Sequence, residues 1–301
     1  MTLRALHDLP APAKLNLFLH VIGRRPDGYH LLQSPFVLID WADRLHLERR
    51  IDGRLQRHDL GAALPADDLC LRAARALQQA SGCPLGADIS IDKQLPWGAG
   101  LGGGSSDAAT TLLALNRLWG LHWPRERLLA LALTLGADVP FFVGGSNAFV
   151  EGIGERLTPL ALQPAWYAVV KPAASLPTAA IFSSPLLQRD TEAVIVKGSL
   201  ADASQPGAVD DGWPASIGGG FGRNDLQAAA EDTCNEVAQA AAWLQARYGN
   251  SRMTGSGSAV FARAGTGDQP LATFPADELP PGWVGRMCRS LHRHPLADWA
   301  G

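Results

Sequence analysis

The sequence predicts an α+β chain of two domains, with mixed and antiparallel sheets flanked by helices. Three observations carry this. Residues 13–49 alternate as strands do and are broken by Pro and Asp-Gly, residues 68–135 turn to helical spacing around a glycine-rich break, and beyond about 155 strand and helix patterns start afresh. The boundary near 155 divides the chain into 1–155 and 156–301. By length alone, 301 residues would suffice for two domains, or one large one, with a substantial buried core.

The elements follow in order. "AKLNLFLHV" (13–21) places Ala13, Leu15, Leu17, Leu19 and Val21 on one face and Lys14, Asn16, Phe18 and His20 on the other, the pattern of a half-buried strand. "RPDGYHLL" supplies turn chemistry, and "FVLI" and "RLHLER" then read as antiparallel strands. Residues 68–80 read as a helix and 87–93 as a strand. From Ser106 the apolar residues Ala108, Leu112, Leu115 and Trp119 recur at three and four, which predicts a helix, and a second fits 124–135. "AWYAVVKP" opens another strand, helices fit 178–188 and 225–247, and "RMTGSGSAVFAR" (252–263) reads as a glycine turn running into a strand. Segment 190–222 has no periodicity and is expected to be a mobile insertion.

Composition narrows the partners. Lys+Arg 26 against Asp+Glu 29 gives a net charge of -3, which offers nothing to attract nucleic acid or an anionic membrane surface. A small-molecule substrate is expected, with the chain a monomer or weak homodimer. The opening residues lack a signal-type apolar run and no stretch reaches membrane-spanning length, so a cytoplasmic protein is expected. Cys70, Cys83, Cys234 and Cys288 are far apart, as reduced and mostly core cysteines would be. His292 and His294, with no third ligand at helical or strand spacing, read as solvated rather than metal-binding.

"PWGAGLGGGSSD" (96–107) carries the strongest functional signal. It lies between a strand and a helix, where glycines let the backbone approach an anion and aim N–H groups at it beside the positive end of the helix dipole. A phosphate cradle is the reading. Gly98, Gly100 and Gly103 also satisfy G-x-G-x-x-G, but "LWGLHWPRER" about 20 residues on holds no second strand ending in an acid, so a dinucleotide fold does not fit. Gly104 is followed by Ser105 without a lysine, which rules out a Walker loop.

The same loop resembles the P-x-G-x-G-L-G-[GS]-S-S-[AND] signature of the GHMP small-molecule kinases, and "APAKLNLFL" and "MTGSGSAVFA" resemble that superfamily's first and third motifs in order and spacing. The resemblance implies the superfamily's two-domain fold with the active site in the cleft between domains, and transfer of the ATP γ-phosphoryl group to an alcohol with Mg²⁺. "PAKLNLFLHVIGRRPDGYHLLQS" and "GADVPFFVGGSNAFVEGIGE" are similar to the branch whose acceptor is a methylerythritol unit carried on cytidine diphosphate, in non-mevalonate isoprenoid synthesis.

The site residues follow from this resemblance. Lys93, Pro96, Gly98, Gly100, Leu101, Gly102, Gly103, Gly104, Ser105 and Ser106 would hold ATP, and a side chain at Gly103 would block close approach and meet a positive φ. Asp138, in "GADVP", would be the catalytic carboxylate; spacing alone reads it as a turn or cap residue, with Pro140 as a helix stop. Lys14 would neutralise developing charge, and Asn16, about 6–7 Å along the same strand face, would position the acceptor. Tyr29 and Phe182 would sandwich the cytosine, His30 would pair with its polar edge, and Thr178 would lie on the acceptor side. Another kinase of the superfamily, acting on mevalonate, homoserine or a sugar, stays open, as does a non-catalytic nucleotide-binding protein on the same scaffold.

Overall fold

The computed structural model describes residues 3–194 and 222–300, so most of the segment expected to be a mobile insertion lies outside the described residues. The first sheet has seven strands, built on one long strand. That strand is β3 (His30–Arg50), to which β1 (Ala5–Asn16), β2 (His20–Arg24), β5 (Gly86–Asp92) and β6 (Ala148–Gly152) all pair antiparallel. β4 (Leu55–Asp59) joins the β5 edge in parallel and β7 (Arg156–Pro159) the β6 edge. The second sheet runs β11 (Val284–Arg289), β8 (Trp166–Lys171), β10 (Val260–Gly265), β9 (Arg252–Met253), all antiparallel.

Helices cover the outer face of each sheet. α1 (Leu69–Ser81), α2 (Gly103–Leu118), α3 (Arg125–Leu133) and α4 (Val139–Gly144) share a core with the first sheet. α6 (Gln227–Thr233) and α7 (Asn235–Tyr248) share one with the second, near the short α5 (Thr178–Ser183). Between the sheets, Leu15, Phe18, Val37 and Ile39 pack with Val169 and Phe261. Burying such side chains contributes roughly 1.5–3 kcal/mol each.

This layering explains where the sequence pattern misleads. The predicted strand 13–21 is two strands, broken where the Leu17 and Leu19 amides donate to the carbonyls of Pro35 and Arg223. Its polar face is not solvated either: Lys14 and Asn16 pair with Leu38 and Phe36 on the helix-covered side of the first sheet and are buried there, Lys14 Nζ lying 4.7 Å over the Phe36 ring, while Ala13, Leu15, Val37 and Ile39 face the second sheet. Predicted helix 225–247 breaks at Cys234, and helix 178–188 ends at Ser183. Pro140 stands in the first turn of α4, starting a helix rather than stopping one. His294 is buried, not solvated; its Nδ1 accepts the Leu296 amide at 3.0 Å, and burial lowers its pKa to about 4, so the ring is neutral.

Candidate active site

The glycine loop joins β5 to α2 and is strapped on both sides. The Lys14 amide donates to Leu101 O at 3.0 Å, and the Ser258 and Ala259 amides donate to Gly98 O and Ala99 O at 3.0 and 3.1 Å. The turn before β10 thus lies directly on the loop. Gly100 permits this contact: its φ is +73° and a Cβ there would stand 2.2 Å from Thr254 O. Gly102, also at φ +73°, is the N-cap of α2, where a Cβ would meet the Phe142 ring at 3.0 Å and Lys14 Cγ at 3.2 Å.

α2 begins at Gly103, earlier than the Ser106 expected from periodicity, and Gly103 is therefore a helical residue with no positive φ. No side chain caps this end, which leaves first-turn N–H groups and the dipole to meet an anion. Ser105 faces the cavities on either side of the loop. Ser106 does not: it is buried, and its hydroxyl donates to Pro12 O at 2.7 Å. Lys93 lines the smaller cavity, but its ammonium is held by Asp43 and Asp107 rather than left free for a phosphate.

Two cavities meet at this loop. The smaller, about 390 Å³, runs from Leu64 and Leu69 to Pro96, Trp97 and the glycines. The larger, about 1020 Å³, is lined by Lys14, Asn16, Asp138, Tyr29, His30, Thr178 and Phe182, so the acceptor-side residues expected from the sequence share one space. Gly98, Gly100, Gly102 and Ser105 border both.

Lys14 and Asp138 stand together in that space, Nζ to Oδ2 3.8 Å. Asp138 precedes α4 as its N-cap, yet its side chain caps nothing. Turn chemistry alone thus does not account for the carboxylate. Lys14 Nζ also donates to Asn16 Oδ1, while the Asn16 side-chain amide donates to Ser34 Oγ at 2.9 Å and its backbone amide to Thr254 Oγ1 at 2.9 Å. Burial lowers the Lys14 pKa from that of an ordinary lysine, and Asp138 opposes the shift.

The rings are arranged differently from the expected Tyr29–Phe182 sandwich. His30 itself stacks on Phe182, centroids 5.1 Å apart at 29°, whereas Tyr29 is 61% exposed at the rim. His30 Nε2 is buried and has no hydrogen-bond partner among the described residues. Burial lowers the His30 pKa, with Arg189 and Arg24 adding to the effect, so the ring is neutral at pH 7 and holds one donor and one acceptor.

Sequence reasoning gave no site role to several residues found here. Thr254 and Ser256, the latter 2.9 Å from Thr178 Oγ1, come from "TGSGS", whose glycines signalled only a turn. Ser34 and Arg24 carried no signal of their own.

A glycine loop at an uncapped helix end, shared by two cavities with a lysine and an aspartate beside it, defines a small-molecule kinase of the GHMP class. The family model for the GHMP kinases N terminal domain matches residues 68–146. The chain is 69% identical to the 4-diphosphocytidyl-2-C-methyl-D-erythritol kinase of Methylibium petroleiphilum over 100% of both chains, and 55% identical to that of Paracidovorax citrulli over 99% of both. A crystal structure of 4-(cytidine 5'-diphospho)-2C-methyl-D-erythritol kinase, 34% identical, superposes with a TM-score of 0.75 over 94% of this chain and 98% of that one. Homoserine kinase from Cytophaga hutchinsonii, at 16% identity and TM-score 0.66, shares the fold. The chain belongs to the 4-diphosphocytidyl-2-C-methyl-D-erythritol kinase family.

Proposed function

We propose that the chain transfers the γ-phosphoryl group of ATP to the 2-hydroxyl of 4-diphosphocytidyl-2-C-methyl-D-erythritol, a step of non-mevalonate isoprenoid synthesis. The observation that carries this is the larger cavity, which holds the His30–Phe182 stack and the Lys14–Asp138 pair together. Residues 1–155 supply most of the nucleotide side, and 156–301 complete the acceptor side through Thr178, Phe182 and Ser256. We assign the smaller cavity to ATP, with the phosphates on the glycine loop and the first turn of α2.

Phosphoryl transfer asks the protein chiefly for positioning and charge stabilisation. Asp138 accepts the proton of the attacking hydroxyl. Lys14, cationic beside it, stabilises charge on the transferred group, and Asn16 and Thr178 orient the acceptor. Mg²⁺ arriving with ATP would neutralise phosphate charge. Such an ion takes most of its ligands from phosphate and water, so the absence of a cluster of three or more His, Cys, Asp or Glu among the described residues does not conflict with it, and Asp138 is an oxygen donor of suitable chemistry at the junction. No helix of the described residues is long and apolar enough to cross a membrane, and we place the protein in the cytoplasm, acting on small molecules alone. A coupled assay for ADP release with the cytidine substrate tests the assignment; a folded, inactive protein overturns it.

A further inference from the structure

Beneath the glycine loop lies a buried cluster of charges that the phosphoryl-transfer chemistry does not use. Asp43 on β3 accepts the amides of Gln94 and Leu95 at 2.7 Å each, immediately before the loop. Its other oxygen takes the Lys93 ammonium, which reaches on to Asp107 Oδ2 at 2.7 Å, in the second turn of α2. Both ends of the loop are therefore fastened to one lysine.

The charges do not balance. A single ammonium serves two carboxylates whose side chains are 0% and 5% exposed. Asp43 has three donors, whereas Asp107 has the ammonium alone, and its Oδ1 is buried without a hydrogen-bond partner among the described residues. Asp107 lines the smaller cavity. An ionised oxygen left unpaired next to a like charge is costly to bury, and it would also repel phosphates on the turn above.

We propose that Asp107 is a positioning residue of the nucleotide site, which together with Lys93 and Asp43 fixes the glycine loop as a neutral acid, so that its proton sets the affinity for ATP. This rests on the assignment of the smaller cavity to ATP. Burial, the largest cause, raises the Asp107 pKa to about 8, with Lys93 opposing and Asp43 adding to the rise. The other titratable group facing it is Cys70 on α1, whose thiol burial holds well above its usual range; Asp68, which precedes that helix, acts on Cys70 and lines the same cavity. A bound polyphosphate makes ionising Asp107 harder still. The complex then holds the proton more tightly than the free protein, and affinity falls as pH rises through the free protein's value.

Calorimetric titration of ADP into the full chain from about pH 7 to 9.5 tests this, since a terminal phosphate, with second pKa near about 6, is fully ionised there. Kd in the wild type should rise by up to about tenfold per pH unit in the upper part of the range. In Asp107→Asn, which keeps the shape without the charge, that slope should vanish, and at pH 7 Asn should bind ADP at least about tenfold more tightly than Asp107→Ala, which unfastens the loop. A wild-type Kd that does not change with pH, or the same slope in Asp107→Asn, overturns the proposal. Infrared spectroscopy of the wild type needs no variant: a buried carboxylic acid C=O band present at neutral pH and bleached by alkali is expected, and its absence overturns the proposal. A folded protein that binds no ADP at any pH refutes instead the assignment of the smaller cavity to ATP.

Discussion

Lys14 Nζ and Asp138 Oδ2 lie 3.8 Å apart although they stand 124 positions apart in the chain. One is delivered by β1, whose amide at Lys14 is bonded to the glycine loop; the other precedes α4, whose Phe142 packs against Gly102. The pair is thus registered to the glycine loop from both sides.

Replacing Asp138 with Asn keeps the size and removes the proton acceptor. We expect kcat to fall by about 10² or more with both KM values near normal, since general-base contributions run to roughly 10²–10⁴. Steady-state kinetics with each substrate varied will check this. A variant of nearly full kcat would return Asp138 to the role of a turn residue.

Lys14 sets activity against stability. Burial lowers its folded pKa below the ordinary lysine value of 10.5, so between the two values the unfolded chain binds more protons and stability rises with pH. Below that window the buried charge is a cost. Lys14→Met should remove the slope, leave stability at pH 7 unchanged or raise it by about 1 kcal/mol, and abolish turnover. Denaturant melts across pH, read beside ADP release, provide the test, and a large loss of stability at pH 7 would contradict it.

The glycines divide by geometry. Gly100→Ala drives a Cβ onto Thr254 O in a left-handed conformation and should cost about 2 kcal/mol or more while raising the ATP KM. Gly103→Ala adds a methyl in a helical position, 3.3 Å from Leu95, and should differ from the wild type by less than about 1 kcal/mol. The sequence alone singled out Gly103 as the glycine whose side chain would block close approach to ATP. Thermal melts of both variants decide the order.

What could be read from the sequence was local. The glycine run, the helix periodicity that puts Ala108, Leu112, Leu115 and Trp119 inside, and the strand bearing Lys14 all depend on neighbours in the chain. What could not be read depends on what packs against those segments. Nothing within 13–21 says that the glycine loop and the start of α4 bury Lys14 on its polar face, and nothing within "PDGYH" says that His30, not Tyr29, turns in to stack on Phe182. Asp138 shows the same limit in another form: its spacing fits a cap, and only the Lys14 ammonium across the fold distinguishes it from one.

The acceptor assignment rests on His30, held neutral with an Nε2 that has no hydrogen-bond partner among the described residues, in the cavity we propose for phosphoryl transfer. Stacking on the rings would serve any base, at about 1–3 kcal/mol, whereas pairing with the polar edge of cytosine leaves uracil with mismatched donors and acceptors, a difference that can reach about 10⁴. The most direct measurement is kcat/KM for the cytidine diphosphate substrate beside its uridine counterpart, in the wild type and in His30→Ala. We expect a cytidine preference of about 10² or more that shrinks in the variant chiefly through a higher KM. Equal kcat/KM for the two nucleotides in the wild type would contradict it.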